Sequence, residues 1–206
     1  MKNIYSNIFS FNKKILKKSV AILKNGNVLG LPTETVYGLA GNAYSKKSVN
    51  KIYKLKKRPK FNPLIVHYLK SKAAEKDVIF NENFFKLYKK FCPGPITFIL
   101  KKNKKTKIKS SVTAGLDTVA IRFPKHRIVR SILKKINFPL AMPSANLSMS
   151  ISPVSASDVA DEFRKNIKVI LNGGKSKIGI ESTVIDLTSD PKILRPGIVG
   201  KEIISK

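Results

Sequence analysis

Two stretches of this chain gather the residue types that do chemistry. Residues 30 to 67 carry Thr33, Glu34, Thr35 and Tyr37 behind Gly30 and Pro32, then Lys56, Lys57 and Arg58, and finally His67. Residues 143 to 153 set Ser144, Asn146, Ser148, Ser150 and Ser152 between Pro143 and Pro153. A further cation, Arg122, lies inside the β-type run TVAIRF of residues 118 to 123, where a charge needs a partner. Cations, hydroxyls and amides suit positioning and charge neutralisation, by which phosphoryl and nucleotidyl transfers are mainly catalysed. They do not suit hydrolysis by a Ser-His-Asp system or a metal cage: no recognisable triad spacing or HExxH occurs, and the chain has two histidines and one cysteine. Gly174-Lys175-Ser176 looks like the end of a P-loop, but the leading glycine position is Val169, which excludes it.

The elements that must position these groups follow from periodicity. An apolar run at residues 28 to 31, ended by Gly30 and Pro32, predicts a strand with Thr33 to Tyr37 at its end, where α/β sheets place ligands. Ser45 caps a helix with Val49, Ile52 and Tyr53 on one face, and its last turn should bring Lys56, Lys57 and Arg58 to one place before Pro59. A strand over residues 63 to 66 then delivers His67. Helices are expected over residues 12 to 23, closed by Gly26, and from Asn81, with Phe84, Leu87, Tyr88 and Phe91 forming a core stripe. A short helix at 71 to 76 precedes that one, and helices at 126 to 136 and 159 to 163 follow. Further strands fall at 96 to 100, 118 to 123, 139 to 142, 167 to 171 and up to Leu187. The lysine-rich residues 101 to 109 read as a solvated loop, with Ile108 opening the next strand. Such alternation predicts an α/β domain with a mixed sheet.

Length suits one large domain over residues 12 to 200, with residues 1 to 11 as a loosely attached arm and 201 to 206 as a tail. The single Cys92 excludes an intramolecular disulfide, and no apolar run reaches the ~20 residues of a membrane span, so a cytoplasmic protein is expected. Net charge is +29, from 41 Lys and Arg against 12 Asp and Glu, and Glu34 is the lone acid of residues 1 to 74. That balance fits attraction to RNA or nucleotides, or equally a general drift toward lysine.

The strings PTETVYGL, Lys56-x-Arg58-Pro59, NPLIVH, PGPIT, PSANLSMSISP, GIESTV and RPG, in that order, resemble the YrdC-like family over most of residues 12 to 199. Composition alone reads the serines and Asn146 as turn formers; the resemblance reads them as ligand-binding. Phe91-Cys92 stands where the family usually has tryptophan, and Met149 where it commonly has glycine. The resemblance implies a twisted open mixed sheet with helices on its outer face and a basic concave cavity. It implies synthesis of threonylcarbamoyl-AMP and pyrophosphate from threonine, bicarbonate and ATP, with Mg2+ on the triphosphate and no metal ligands from the protein. The product would pass to proteins that modify the adenosine beside the anticodon in tRNAs reading codons that start with A, and direct tRNA binding remains open. Thr35, His67, Arg122, the Met142 backbone and Ser182 would hold threonine. Lys56, Arg58, Asn62, Thr118, Ser144, Asn146, Ser152 and Arg195 would hold ATP, with Lys56, Arg58, Ser144 and Asn146 catalytic. Two alternatives are a non-catalytic RNA-binding module and a carbamoyl-transfer maturation enzyme, whose zinc-finger cysteines are absent here.

Overall fold

The computed structural model describes residues 5 to 204. Its strands are β1 (Ile8–Ser10), β2 (Leu29–Leu31), β3 (Gly38–Asn42), β4 (Val66–His67), β5 (Ile96–Lys101), β6 (Thr118–Arg122), β7 (Leu140–Ala141), β8 (Ile170–Asn172), β9 (Thr183–Asp186) and β10 (Lys192–Arg195). They form one mixed sheet in the order β1-β8-β2-β3-β7-β4-β6-β5-β9-β10. The parallel pairs are β1 with β8, β2 with β8, β4 with β6 and β5 with β9; the others are antiparallel. The helices are α1 (Lys13–Lys24), α2 (Lys46–Lys56), α3 (Glu82–Phe91), α4 (Ser110–Thr113), α5 (Arg127–Leu133), α6 (Ala156–Phe163) and α7 (Lys201–Ile204).

Successive strand residues alternate between two apolar clusters, as the period-2 geometry of a strand requires. Leu39, Ala141 and Ile170 join Val49 and Ile52 of α2, Phe84 of α3 and Val159 of α6. Ala40, Leu140 and Leu171 join Ile15 of α1 and Ile132 of α5 on the other side. The helices thus flank both faces of the sheet. Each long helix begins where a side chain accepts an orphan backbone N–H: Asn12 from Ile15, Ser45 from Ser48, Asn81 from Phe84 and Ser155 from Asp158.

Several expectations change. Residues 8 to 10 are no loose arm: they pair in register with Ile170 to Asn172, while Asn7 Nδ2 donates to Arg164 O and Ile167 O. Residues 1 to 4 of that arm and residues 205 and 206 of the tail lie outside the described residues. β3, with the sequence GLAGN, has little β propensity; it forms because small residues fit a strand covered on both faces, and a Cβ on Gly38 would stand 2.4 Å from Met142 Cγ. Ile108 opens no strand but is buried ahead of α4. The lysine-rich loop is anchored at its base. The fully buried Asp77 takes hydrogen bonds from the hydroxyls of Tyr44, Tyr68 and Thr106 and from Lys107 N.

Phe84 is the hub of the aromatic stripe. Its ring stacks on Phe80 at 4.0 Å and meets Phe98 edge-on at 5.2 Å, whereas the next residue, Phe85, is mostly exposed. Phe84→Ala should therefore cost about 3–5 kcal/mol, and Phe85→Ala less than about half of that, read as urea unfolding midpoints at unchanged slope. Equal losses at the two positions would contradict this packing.

Candidate functional site

The loops leaving β2 and β7, the segment between α2 and β4, the loop entering β9, and the ends of β4, β6 and β10 converge on one cleft. It spans about 530 Å³, part of it open solvent, and is lined by Thr33, Thr35, Arg58, His67, Arg122, Met142, Ser144, Glu181, Ser182 and Arg195 among others. Pro32 ends β2, and Thr33 shapes the turn that follows. Its Oγ donates to Val36 O at 2.6 Å, accepts from the N–H groups of Thr35 and Val36, and lies 2.8 Å from Thr35 Oγ. The cleft floor is thus set by local bonds before any ligand arrives.

β4 and β6 run parallel with His67 opposite Arg122, so register alone brings the two together. Both are almost wholly buried, and His67 Nδ1 and Arg122 Nε have no hydrogen-bond partner among the described residues. Burial first, and the Arg122 charge second, push the His67 pKa down to about 3. His67 is therefore a neutral hydrogen-bonding group at ordinary pH. The partner that Arg122 needs is Glu34: Arg122 Nη2 donates to Glu34 Oε1 at 2.7 Å, and Glu34 Oε2 accepts from Lys125 N and His126 N. Burial raises the Glu34 pKa, but the Arg122 charge and these hydrogen bonds outweigh it and hold the carboxyl below its usual value. Nη2 alone is engaged by Glu34, which leaves donors of Arg122 for a second carboxylate.

Arg195 is fixed similarly. Its Nε and Nη2 donate to Ser182 O, Nη2 also reaches Ser182 Oγ, and Nη1 pairs with Glu181. Burial, then the charges of Arg122 and Arg58, lower its pKa to about 10. Ser182 Oγ is further held by Thr97 Oγ at 2.8 Å. Arg58 donates from Nε to Asn62 O and from Nη2 to Asn62 Oδ1 and Pro63 O. Three guanidinium groups on one cleft make it a site for anions.

The helix end does not deliver three cations together. Lys57 takes the left-handed cap position and is exposed, and Lys56 turns inward and is 1% exposed. Lys56 Nζ meets Ser144 O, Asn146 O and Asn146 Oδ1, so each of its three hydrogens has an acceptor in the loop after β7. Burial and Arg58 lower its pKa to about 7, while Glu162 opposes. Lys56 thus shapes the loop and leaves the cleft wall to Arg58. Asn146 completes that loop by donating to Leu147 O and Ser150 O. Met149 there has φ 75°, in the left-handed region that glycine adopts freely.

The five threonine-side residues therefore share the cleft, as do Arg58, Ser144 and Arg195. Asn62 stands behind Arg58, and Asn146 and Ser152 line a second hollow with Asp158 and Glu162, Ser152 also donating to Glu181. Thr118 is displaced: it pairs with Lys101 at the far end of β6, roughly 13 Å from Arg122 by strand rise. Glu34 and Glu181, which hold the arginines, were missed as site residues. For Glu34 the signal was scarcity: it is the lone acid among the first 74 residues. Among the described residues no three His, Cys, Asp or Glu side chains cluster to hold a metal, and no helix is long and apolar enough to cross a membrane.

The buried neutral His67 makes stability pH-dependent. An unfolded histidine binds its proton near pH 6.5 and the folded one only near 3, so acidification between those values favours the unfolded chain. Unfolding free energy should fall by about 1.4 kcal/mol per pH unit in that window through this group, and His67→Gln should remove that share of the slope. Denaturant titrations across the window give the measurement; identical slopes would exclude a buried neutral His67.

A family model described as "Telomere recombination", that of Sua5, YciO and YrdC, matches residues 21–197. Threonylcarbamoyl-AMP synthase of Pyrococcus abyssi is 41% identical over 195 residues, covering 93% of this chain and 56% of that protein. The enzyme of the same name from Bacillus subtilis is 42% identical over 197 residues, covering 95% and 57%. The chain thus spans little more than half the length of these relatives. Two structures of P. abyssi Sua5 superpose closely. One has a TM-score of 0.92 at 39% identity, covering 96% of this chain and 62% of the other. The second, complexed with L-threonine, has a TM-score of 0.88 at 39% identity, covering 92% and 57%. On this match of most of its length, and on relatives above 40% identity, the chain belongs to the Sua5/YciO/YrdC family.

Proposed function

We propose that this chain is a cytoplasmic threonylcarbamoyl-AMP synthase, acting on L-threonine, bicarbonate and ATP. The observation that carries the reading is the convergence of Thr35, His67, Arg122, Met142 and Ser182 with Arg58, Ser144 and Arg195 on one cleft, in a fold that superposes on threonine-complexed Sua5. A carboxylate would bind the free donors of Arg122, and a polyphosphate would bind Arg58 and Arg195. Threonine's amine and bicarbonate combine to a carbamate with loss of water. A carbamate oxygen then attacks the α-phosphorus, a P–O bond forms, the bond to the β-phosphate breaks, and pyrophosphate leaves. Preorganised cations stabilise the charge that develops. No covalent protein intermediate is required.

Magnesium fits this site only on the triphosphate, through its oxygens and water, because Glu34 and Glu181 are already bound to arginines. The acyl adenylate product would pass to tRNA-modifying proteins. The lysine-rich loop is the observation that favours direct tRNA contact as well.

Purified protein with Mg2+, ATP, bicarbonate and threonine should release pyrophosphate, and omission of threonine or bicarbonate should stop it. Release of ADP and phosphate instead, or pyrophosphate release without threonine, would overturn the synthase reading. Arg122→Lys keeps a charge beside Glu34 but loses the planar fork, so it should raise the KM for threonine at least about ten-fold, equal to about 1.4 kcal/mol, with a far smaller effect on the KM for ATP. Equal changes in both constants would remove Arg122 from the threonine side.

A further inference from the structure

Phe61 is 81% exposed, the most exposed aromatic side chain among the described residues. Single exposed apolar residues are ordinary, so exposure alone says nothing. Its placement does. The turn that carries Phe61 is closed by Asn62 N donating to Pro59 O, and the same turn wraps the Arg58 guanidinium through Asn62 O, Asn62 Oδ1 and Pro63 O. Arg58 and Pro63 both line the cleft, and Phe61 lies between them in the chain, its Cα at most about 7 Å from that of Pro63. Among the described residues that line the cleft there is no Phe or Trp. Tyr37, its one phenol, is buried, with its hydroxyl bonded to Gly174 O and Gly173 N.

We propose that Phe61 is the stacking platform for the purine base of the nucleotide whose phosphates bind at Arg58. This rests on the synthase reading for the identity of the nucleotide. The physical basis is independent of it: an aromatic face held on the same hydrogen-bonded turn as a phosphate-binding cation offers base and phosphate contacts at fixed separation. Stacking needs no hydrogen-bond readout, so the platform favours purines by their larger face.

The chain contains no tryptophan, so Phe61→Trp creates a single fluorescent reporter at the position in question. ATP should quench its emission and CTP should quench it less, while tripolyphosphate and threonine should leave it unchanged. Phe61→Ala should weaken ATP binding about five- to a hundred-fold by calorimetry, and Phe61→Trp should retain it. Quenching by tripolyphosphate to the same depth as by ATP, or unchanged ATP affinity in Phe61→Ala, overturns the platform. Wild-type protein assayed in parallel separates the two failures: threonine-dependent pyrophosphate release with a silent reporter sinks the platform alone, whereas no ATP binding by wild type sinks both.

Discussion

A guanidinium inside a β-strand is the constraint on which the site depends. Arg122 lies in β6 with apolar Ile121 and Phe123 beside it, and burying it alone would cost several kcal/mol. Glu34 answers from the turn after β2, so one ion pair ties two distant strands at the ends that form the cleft. The same carboxylate takes the N–H groups of Lys125 and His126 where α5 begins. A buried pair of this kind is weak evidence for net stability, because desolvation offsets most of the attraction. Its effect is on specification. Removing either partner leaves an unpaired charge, so the turn, the strand end and the helix start hold one mutual arrangement.

The same logic recurs around the cleft. In a chain with 12 acids against 41 Lys and Arg, two acids hold Arg122 and Arg195 in place, and Asn62 does this for Arg58 with neutral oxygens. Burial first, and repulsion by Arg122 and Arg58 second, depress the pKa of Arg195. The three guanidiniums remain together because each is fixed by separate hydrogen bonds. Lys56 answers its own burial differently, surrounding its ammonium with oxygens of the loop after β7. An excess of positive charge is thus made local and directional.

Much of this was legible in the chain. Strand ends could be read from Gly30 and Pro32, helix starts from Asn12, Ser45 and Asn81, and the convergence of the polar nodes from the family motifs. β3 escaped because GLAGN lacks the β-branched residues that mark strands; its place is decided by what packs on it. The arm escaped because three residues form too short a run to show a period, and their partner strand is about 160 residues away. Thr118 and Arg122 share a strand four residues apart, and only the register shows that one reaches the cleft and the other does not. The inward turn of Lys56 could not be read either, since consecutive lysines at a helix end look alike until a loop from elsewhere supplies acceptors.

The turn after β2 also fixes the polarity of the cleft floor. Thr33 has a single hydroxyl proton, committed at 2.6 Å to Val36 O. With that proton committed, the 2.8 Å contact between the two hydroxyls is donated by Thr35, whose only proton is then held by Thr33 Oγ. What Thr35 Oγ has left for a visitor is lone pairs. A hydroxyl or amine hydrogen meets an acceptor there, and a carboxylate oxygen meets repulsion, so the direction of one proton in the turn decides which end of a zwitterion can face it.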